Sequence, residues 1–138
     1  MPLALTIAAY FVVAAVLALF GARLRSGIVA VAVLPFVGQL VLVAVEVVGG
    51  VDPAGVESLE WLPSLGVSLA FRVGPFALLL TTVVAAIGLL IVVYSARYLR
   101  DPMRRVRFLS LMVLFTGGMA GLVASDDLFG LFLFWELT

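Results

Sequence analysis

The chain has 138 residues, of which 65% are hydrophobic and 12% charged, with eight basic residues against eight acidic ones and a mean hydropathy of +1.34. So few polar groups could not cover the surface of a soluble domain of this size, and the composition points to an integral membrane protein. Cysteine, histidine and lysine are absent, which excludes disulfides, thiolate and imidazole metal ligands, Schiff-base chemistry and the commonest general base from this stretch.

Residues 3–22 form the first apolar run, long enough at ~1.5 Å per residue to cross a ~30 Å hydrocarbon core. A cleaved signal peptide would have a basic start and a shorter apolar stretch, and MPLALTIAAYF has neither, so a retained span is expected. Arg23 and Arg25 end it, and RSG makes a turn. Residues 27–48 give the second span. It carries Pro35 and Gly38, a backbone loosening that neighbouring helices in a bundle tolerate. Gln39 lies near its middle and is expected to hydrogen-bond to another helix. Glu46 falls within a turn of the interface, at headgroup level.

Residues 49–74 are the one long polar connection. GGVDPAG reads as loop and WLPSLG as a turn around Pro63 and Ser64. Val67, Leu69, Phe71 and Val73 then alternate with Ser68, Ala70 and Arg72, a period of two that predicts a strand, and with it a short β-hairpin on the outer membrane surface. The third span, 75–96, opens with a proline suited to a first helical turn. RYLRDPMRRVR follows, then a fourth span over 108–124, in which Gly117 and Gly121 form a small-residue packing face. SDD ends it, and a fifth apolar helix starts over 128–138. The predicted fold is all-α and membrane-integral: four complete transmembrane helices, the start of a fifth, and a short surface hairpin.

Charge sets the expected orientation. Segments 23–26 and 97–107 fall on one side and hold seven arginines, whereas the other side has Arg72 alone with Asp52, Glu57, Glu60, Asp126 and Asp127. The positive-inside rule makes the arginine side cytoplasmic and puts the N-terminus outside. Arg100, Arg104, Arg105 and Arg107 are read as topology determinants facing anionic lipid.

One carboxylate stands apart. Asp126 and Asp127 mark the outer surface, and Glu136 lies nine residues beyond Asp127, about 14 Å deeper at ~1.5 Å per residue and so near the midplane. An ionised side chain facing lipid there costs about 3 kcal/mol on insertion scales. Glu136 must be protonated, or face a bundle interior, a water-filled cavity or a counter-charge. Two roles fit, a proton relay and a permanently protonated acid that bonds neighbouring helices. None of the four complete spans has a basic residue near its centre, so the partner cation is expected from elsewhere.

FWELT, preceded by VASDDLFGLFL, resembles the fifth-helix signature of antiporter-type membrane subunits. That superfamily includes the large subunits of Mrp multisubunit sodium/proton antiporters and the proton-pumping subunits of respiratory complex I. EWLPSLGVSLAFRVGPFALLLTTVVAAIGLLIVVYSARYL is most similar to the A-type subunits of the Mrp antiporters. The resemblance is good over 60–138 and rests on hydropathy alone in the first two helices. Two positions depart from the family pattern: an aspartate often present before the third helix is missing from Phe71–Pro75, and Asp127 stands where the family often has asparagine.

The resemblance implies that Glu136 belongs to an ion or proton pathway and works with a lysine on a later helix, with Asp126 and Asp127 as possible acids at its outer mouth. It further implies that these residues are the opening portion of a larger subunit, either a fragment or a split gene product. Expected partners are the lipid bilayer, the remaining helices of the subunit, other Mrp-type subunits, and Na+ and H+ as transported ions. No nucleic acid and no cofactor are expected, and SDD is too little to make a sodium site. A proton-pumping subunit of an NADH-quinone oxidoreductase or membrane hydrogenase is the alternative within the superfamily. A short membrane scaffold subunit is the alternative outside it.

Overall fold

The computed structural model describes residues 2–24, 27–50, 55–62 and 67–138. The turns expected at Arg25–Ser26 and Pro63–Ser64, and most of the GGVDPAG loop, lie outside the described residues. The chain runs α1 (Pro2–Leu24), α2 (Ile28–Gly49), β1 (Val56–Leu62), β2 (Val67–Arg72), α3 (Pro75–Tyr98), α4 (Pro102–Ala124) and α5 (Leu128–Glu136). The first four helices are each long and apolar enough to cross a membrane. Helices are the natural form for such segments, because hydrocarbon offers no water to satisfy an open backbone.

Helix ends follow local chemistry more closely than hydropathy does. The fourth helix begins at Pro102, six residues before the apolar stretch does. Asp101 caps it, accepting from the backbone N–H groups of Met103 (2.9 Å) and Arg104 (3.5 Å), and Pro102 occupies a position where no N–H is needed. Arg104, Arg105 and Arg107 therefore lie on the first turns of the helix. Helix α2 continues through Pro35, which is buried against its neighbours.

Helices α1 to α4 form a ring in which each packs on the next and α4 closes on α1. Gly21 of α1 meets Val106 of α4, and Gly117 of α4 meets Tyr10 of α1, so these two run antiparallel. The centre is filled by Tyr10, Leu17, Phe36, Val92, Leu109 and Val113. Tyr10 and Phe36 meet edge to face with ring centroids 5.1 Å apart, a favoured aromatic geometry.

The α4 glycines serve two neighbours. A Cβ at Gly117 would lie 2.6 Å from Cβ of Tyr10, and one at Gly121 would lie 2.5 Å from the Phe134 ring of α5. One stripe of absent side chains thus seats α1 and α5 side by side, a closer approach than larger residues allow.

The hairpin is present, antiparallel, with Glu57 opposite Phe71 and Leu59 opposite Leu69. The register shifts between Glu60 and Leu62, leaving Trp61 as the extra residue of a bulge. Phe71, only 3% exposed, inserts among Leu3, Ile7, Ala120, Ala124 and Phe134. The hairpin therefore sits over the end of the bundle that holds the start of α1 and the α4–α5 corner. The described arginines other than Arg72 lie at the opposite end, on the last turns of α1 and α3, in the α3–α4 connection and on the first turns of α4.

Gly121→Ala is expected to destabilise α5 docking by about 1–3 kcal/mol through overpacking. It should lower the melting temperature of the detergent-solubilised protein, and Phe134→Leu in the same chain should recover part of the loss.

Candidate functional site

The site is built at the corner between α4 and α5. Ser125 ends α4, and its hydroxyl donates to the Gly121 carbonyl at 2.8 Å. The chain then passes beside the free edge of β2: Phe71 bridges to Ser125, and the Asp126 N–H donates to the Ala70 carbonyl at 2.8 Å. In the other direction, the Ala70 N–H donates to Oδ2 of Asp127 at 2.8 Å. The second oxygen of Asp127 accepts from the Gly130 N–H at 2.6 Å, the N-cap bond that starts α5. One carboxylate thus opens the helix and holds the hairpin.

Asp126 faces the surface and accepts from Arg72, at 2.7 Å from Nε and 2.6 Å from Nη2. The pair is partly solvated, so it counts more as a positional tie than as stabilisation. Trp61, turned out by its bulge, meets Phe129 with ring centroids 5.8 Å apart. Both strands therefore contact the beginning of α5. Asp126 and Asp127 come together as sequence reading placed them, and each has a structural partner.

From this corner α5 descends along α4, with Phe134 against Gly121 and then Leu137 and Thr138 against Gly118. Glu136 is the last residue of α5, about 14 Å below the cap at ~1.5 Å per residue. It follows Phe134 by two residues, roughly 200° around a helix of ~3.6 residues per turn, so it points away from α4. It is exposed and makes no hydrogen bond or ion pair among the described residues. Its face is shared with Phe132, one turn earlier and also exposed. Arg72 belongs to the hairpin and the other described arginines to the far end, so no described cation reaches it. Among the described residues no three acids gather into a cation cage.

A second polar feature lies inside the ring. Gln39 is completely buried, and neither atom of its amide has a hydrogen-bond partner among the described residues. The expected bond from Gln39 to another helix is not made. The Tyr10 hydroxyl is also buried and unpartnered. Leaving such groups unpaired costs about 1–3 kcal/mol each. Sequence reading passed over Tyr10, although a single tyrosine inside the apolar AAYFVVAAV was a signal that could have found it.

Comparisons with known proteins agree with this geometry. The family described as NADH-ubiquinone oxidoreductase (complex I), chain 5 N-terminus, matches residues 61–109. A probable K(+)/H(+) antiporter A/B subunit of Rhizobium meliloti is 36% identical over 75% of this chain and 11% of its own length. A Na(+)/H(+) antiporter A1 subunit of Staphylococcus aureus is 32% identical over 80% of this chain and 14% of its own. Among solved structures, a chain of the Mrp complex from Dietzia sp. superposes with a TM-score of 0.78 at 31% identity, covering 99% of this chain and 15% of that one. A chain of the membrane-bound sulfane sulfur reductase, an archaeal respiratory membrane complex, gives 0.75 at 26% identity, covering 99% and 28%.

Four apolar spans, a hairpin and a fifth helix latched to it are the fold this chain shares with subunits of antiporter and respiratory membrane complexes. Within that group the chain matches the N-terminal portion of A-type subunits of Mrp antiporters. It spans about a tenth of the length of the curated relatives it matches.

Asp127→Ala removes both the cap and the tie to β2. It is expected to cost about 1–2 kcal/mol and to speed amide hydrogen exchange at Ala70 and Gly130 together. Loss of protection at Gly130 alone would show that the hairpin is held by other contacts.

Proposed function

We propose that the chain is part of a multisubunit monovalent cation/proton antiporter in a bacterial cytoplasmic membrane, a piece of a transporter and not an enzyme. In this reading it contributes Glu136 to the ion pathway. Asp126 and Asp127 stand at the outer mouth, where they also hold the hairpin. The observation that carries the reading is the placement of Glu136: a carboxylate about 14 Å below its helix cap, on the face of α5 turned away from α4. An acid at that depth is stable only if something covers it. Groups outside residues 1–138, on the same subunit or on other Mrp-type subunits, supply the counter-charge and the rest of the pathway. The names of the relatives support sodium or potassium as the exchanged cation.

The likeness to the archaeal reductase complex and to the complex I family favours one second reading, an antiporter-like proton-pumping subunit of a redox enzyme. Purification of the intact complex separates the two. Flavin or iron–sulfur absorbance co-purifying in stoichiometric amount supports the redox assembly, and its absence with cation/proton exchange retained supports the antiporter.

Glu136→Gln in the whole complex is expected to lower exchange at least about tenfold, because glutamine keeps the size of the acid and cannot release a proton. Assembly should be unchanged. Transport near the wild-type rate would show that the acid only bonds neighbouring helices.

The N-terminus is proposed to lie outside, on the strength of the arginine asymmetry. Single cysteines at Ser58 and Met103 should react with an impermeant thiol reagent from opposite faces, Ser58 from outside. Labelling of both from outside overturns the orientation.

A further inference from the structure

At the arginine-bearing end, a cavity of about 340 Å³ opens between the last turn of α1, the first turn of α2 and the first turn of α4. Its walls are apolar, from Ala22, Ile28, Met103 and Val106 among others, except at Arg105. The Arg105 guanidinium donates from both Nε (2.9 Å) and Nη2 (2.5 Å) to the Leu99 carbonyl. This fixes the group in place and leaves its remaining N–H groups for another acceptor. No carboxylate among the described residues pairs with it. Asp101, the one described acid at this end, is taken by the α4 cap and by Arg104 at 3.5 Å. Arg23, Arg97, Arg100, Arg104 and Arg107 belong to the same end of the bundle, so this end as a whole is cationic, with Arg105 the one arginine on the cavity wall.

A ligand that fits must bring an anion for the guanidinium and an apolar body for the remaining walls. The cavity lies where three helices end, at the level of the headgroups. We propose that it seats one anionic phospholipid, with its phosphate against Arg105 and the start of an acyl chain against Ala22, Ile28, Met103 and Val106. A free phosphate would leave the apolar walls unfilled. A zwitterionic lipid would bring an ammonium to an end of the bundle that is already rich in arginine, which disfavours it. The bound lipid would tie the end of α1 and the start of α2 to the start of α4.

The test uses the full complex carrying this chain, stripped of lipid in detergent, titrated with phosphatidylglycerol and read by native mass spectrometry. Wild type is expected to retain one tightly bound lipid that Arg105→Gln weakens by about tenfold or more. That variant also frees the Leu99 carbonyl, so Ala22→Trp provides the second arm: it fills the cavity, keeps Arg105, and should lose the same lipid. Arg104→Gln, which is off the cavity wall, should retain it. Undiminished retention in both Arg105→Gln and Ala22→Trp overturns the proposal. So does equal affinity for phosphatidylcholine, or displacement by glycerol 3-phosphate at concentrations similar to the lipid's.

Discussion

The carboxylate of Asp127 joins the fifth helix to the hairpin. Through one oxygen it accepts the Gly130 N–H and starts α5; through the other it accepts the Ala70 N–H and holds the inner strand of the hairpin. Without that cap the first turn of α5 would carry unsatisfied donors at the edge of a medium with no water to take them. The cap fixes where α5 begins. The helical rise then fixes how deep Glu136 lies.

Depth alone would not keep Glu136 in place. Its insertion cost, about 3 kcal/mol, is close to what six leucines and phenylalanines return at roughly −0.5 kcal/mol each, and α5 has about that many. Taken alone, α5 would be marginally inserted. The balance is tipped by docking. Phe134 lies in the space left by Gly121 and touches Phe11 and Phe71, so α4, α1 and the hairpin all contribute to seating the helix. Docking also sets rotation. With Phe134 turned to α4, Glu136 must face the other way.

The two ends of the bundle are built differently. At the hairpin end, Asp126 is matched with Arg72, Glu57 and Asp127 with backbone N–H groups, and aromatic rings of the strands and α5 interlock. At the other end the arginines outnumber the acids, and Arg105 is held rigidly without a carboxylate partner among the described residues. That end is suited to anionic lipid, and the hairpin end is closed by protein contacts. The polar groups inside the ring, Gln39 and Tyr10, belong to neither end and are held by close packing alone.

Composition and hydropathy sufficed for the helical class, the number of spans, the hairpin and the sidedness of charge, because each is dictated by local sequence against a uniform apolar solvent. The distance of Glu136 from its helix cap was also legible, since it needs only a helix start and a fixed rise. Other features required the tertiary structure. The apolar stretch placed the start of the fourth span at residue 108, but the cap at Asp101 starts the helix at Pro102, because arginine stems can lie along a helix while their charges reach water. Gln39 looked like a residue that bonds across helices, yet whether a partner sits opposite depends on how two helices are rotated, and here none does among the described residues. Gly117 and Gly121 read as one packing face, and the fold divides it between Tyr10 and Phe134. Asp126 and Asp127 were recognisable as surface acids, but that one latches the hairpin while the other pairs with Arg72 depends on a contact between residues more than fifty positions apart. Local sequence carries no term for such a contact; it exists only once the helices have packed.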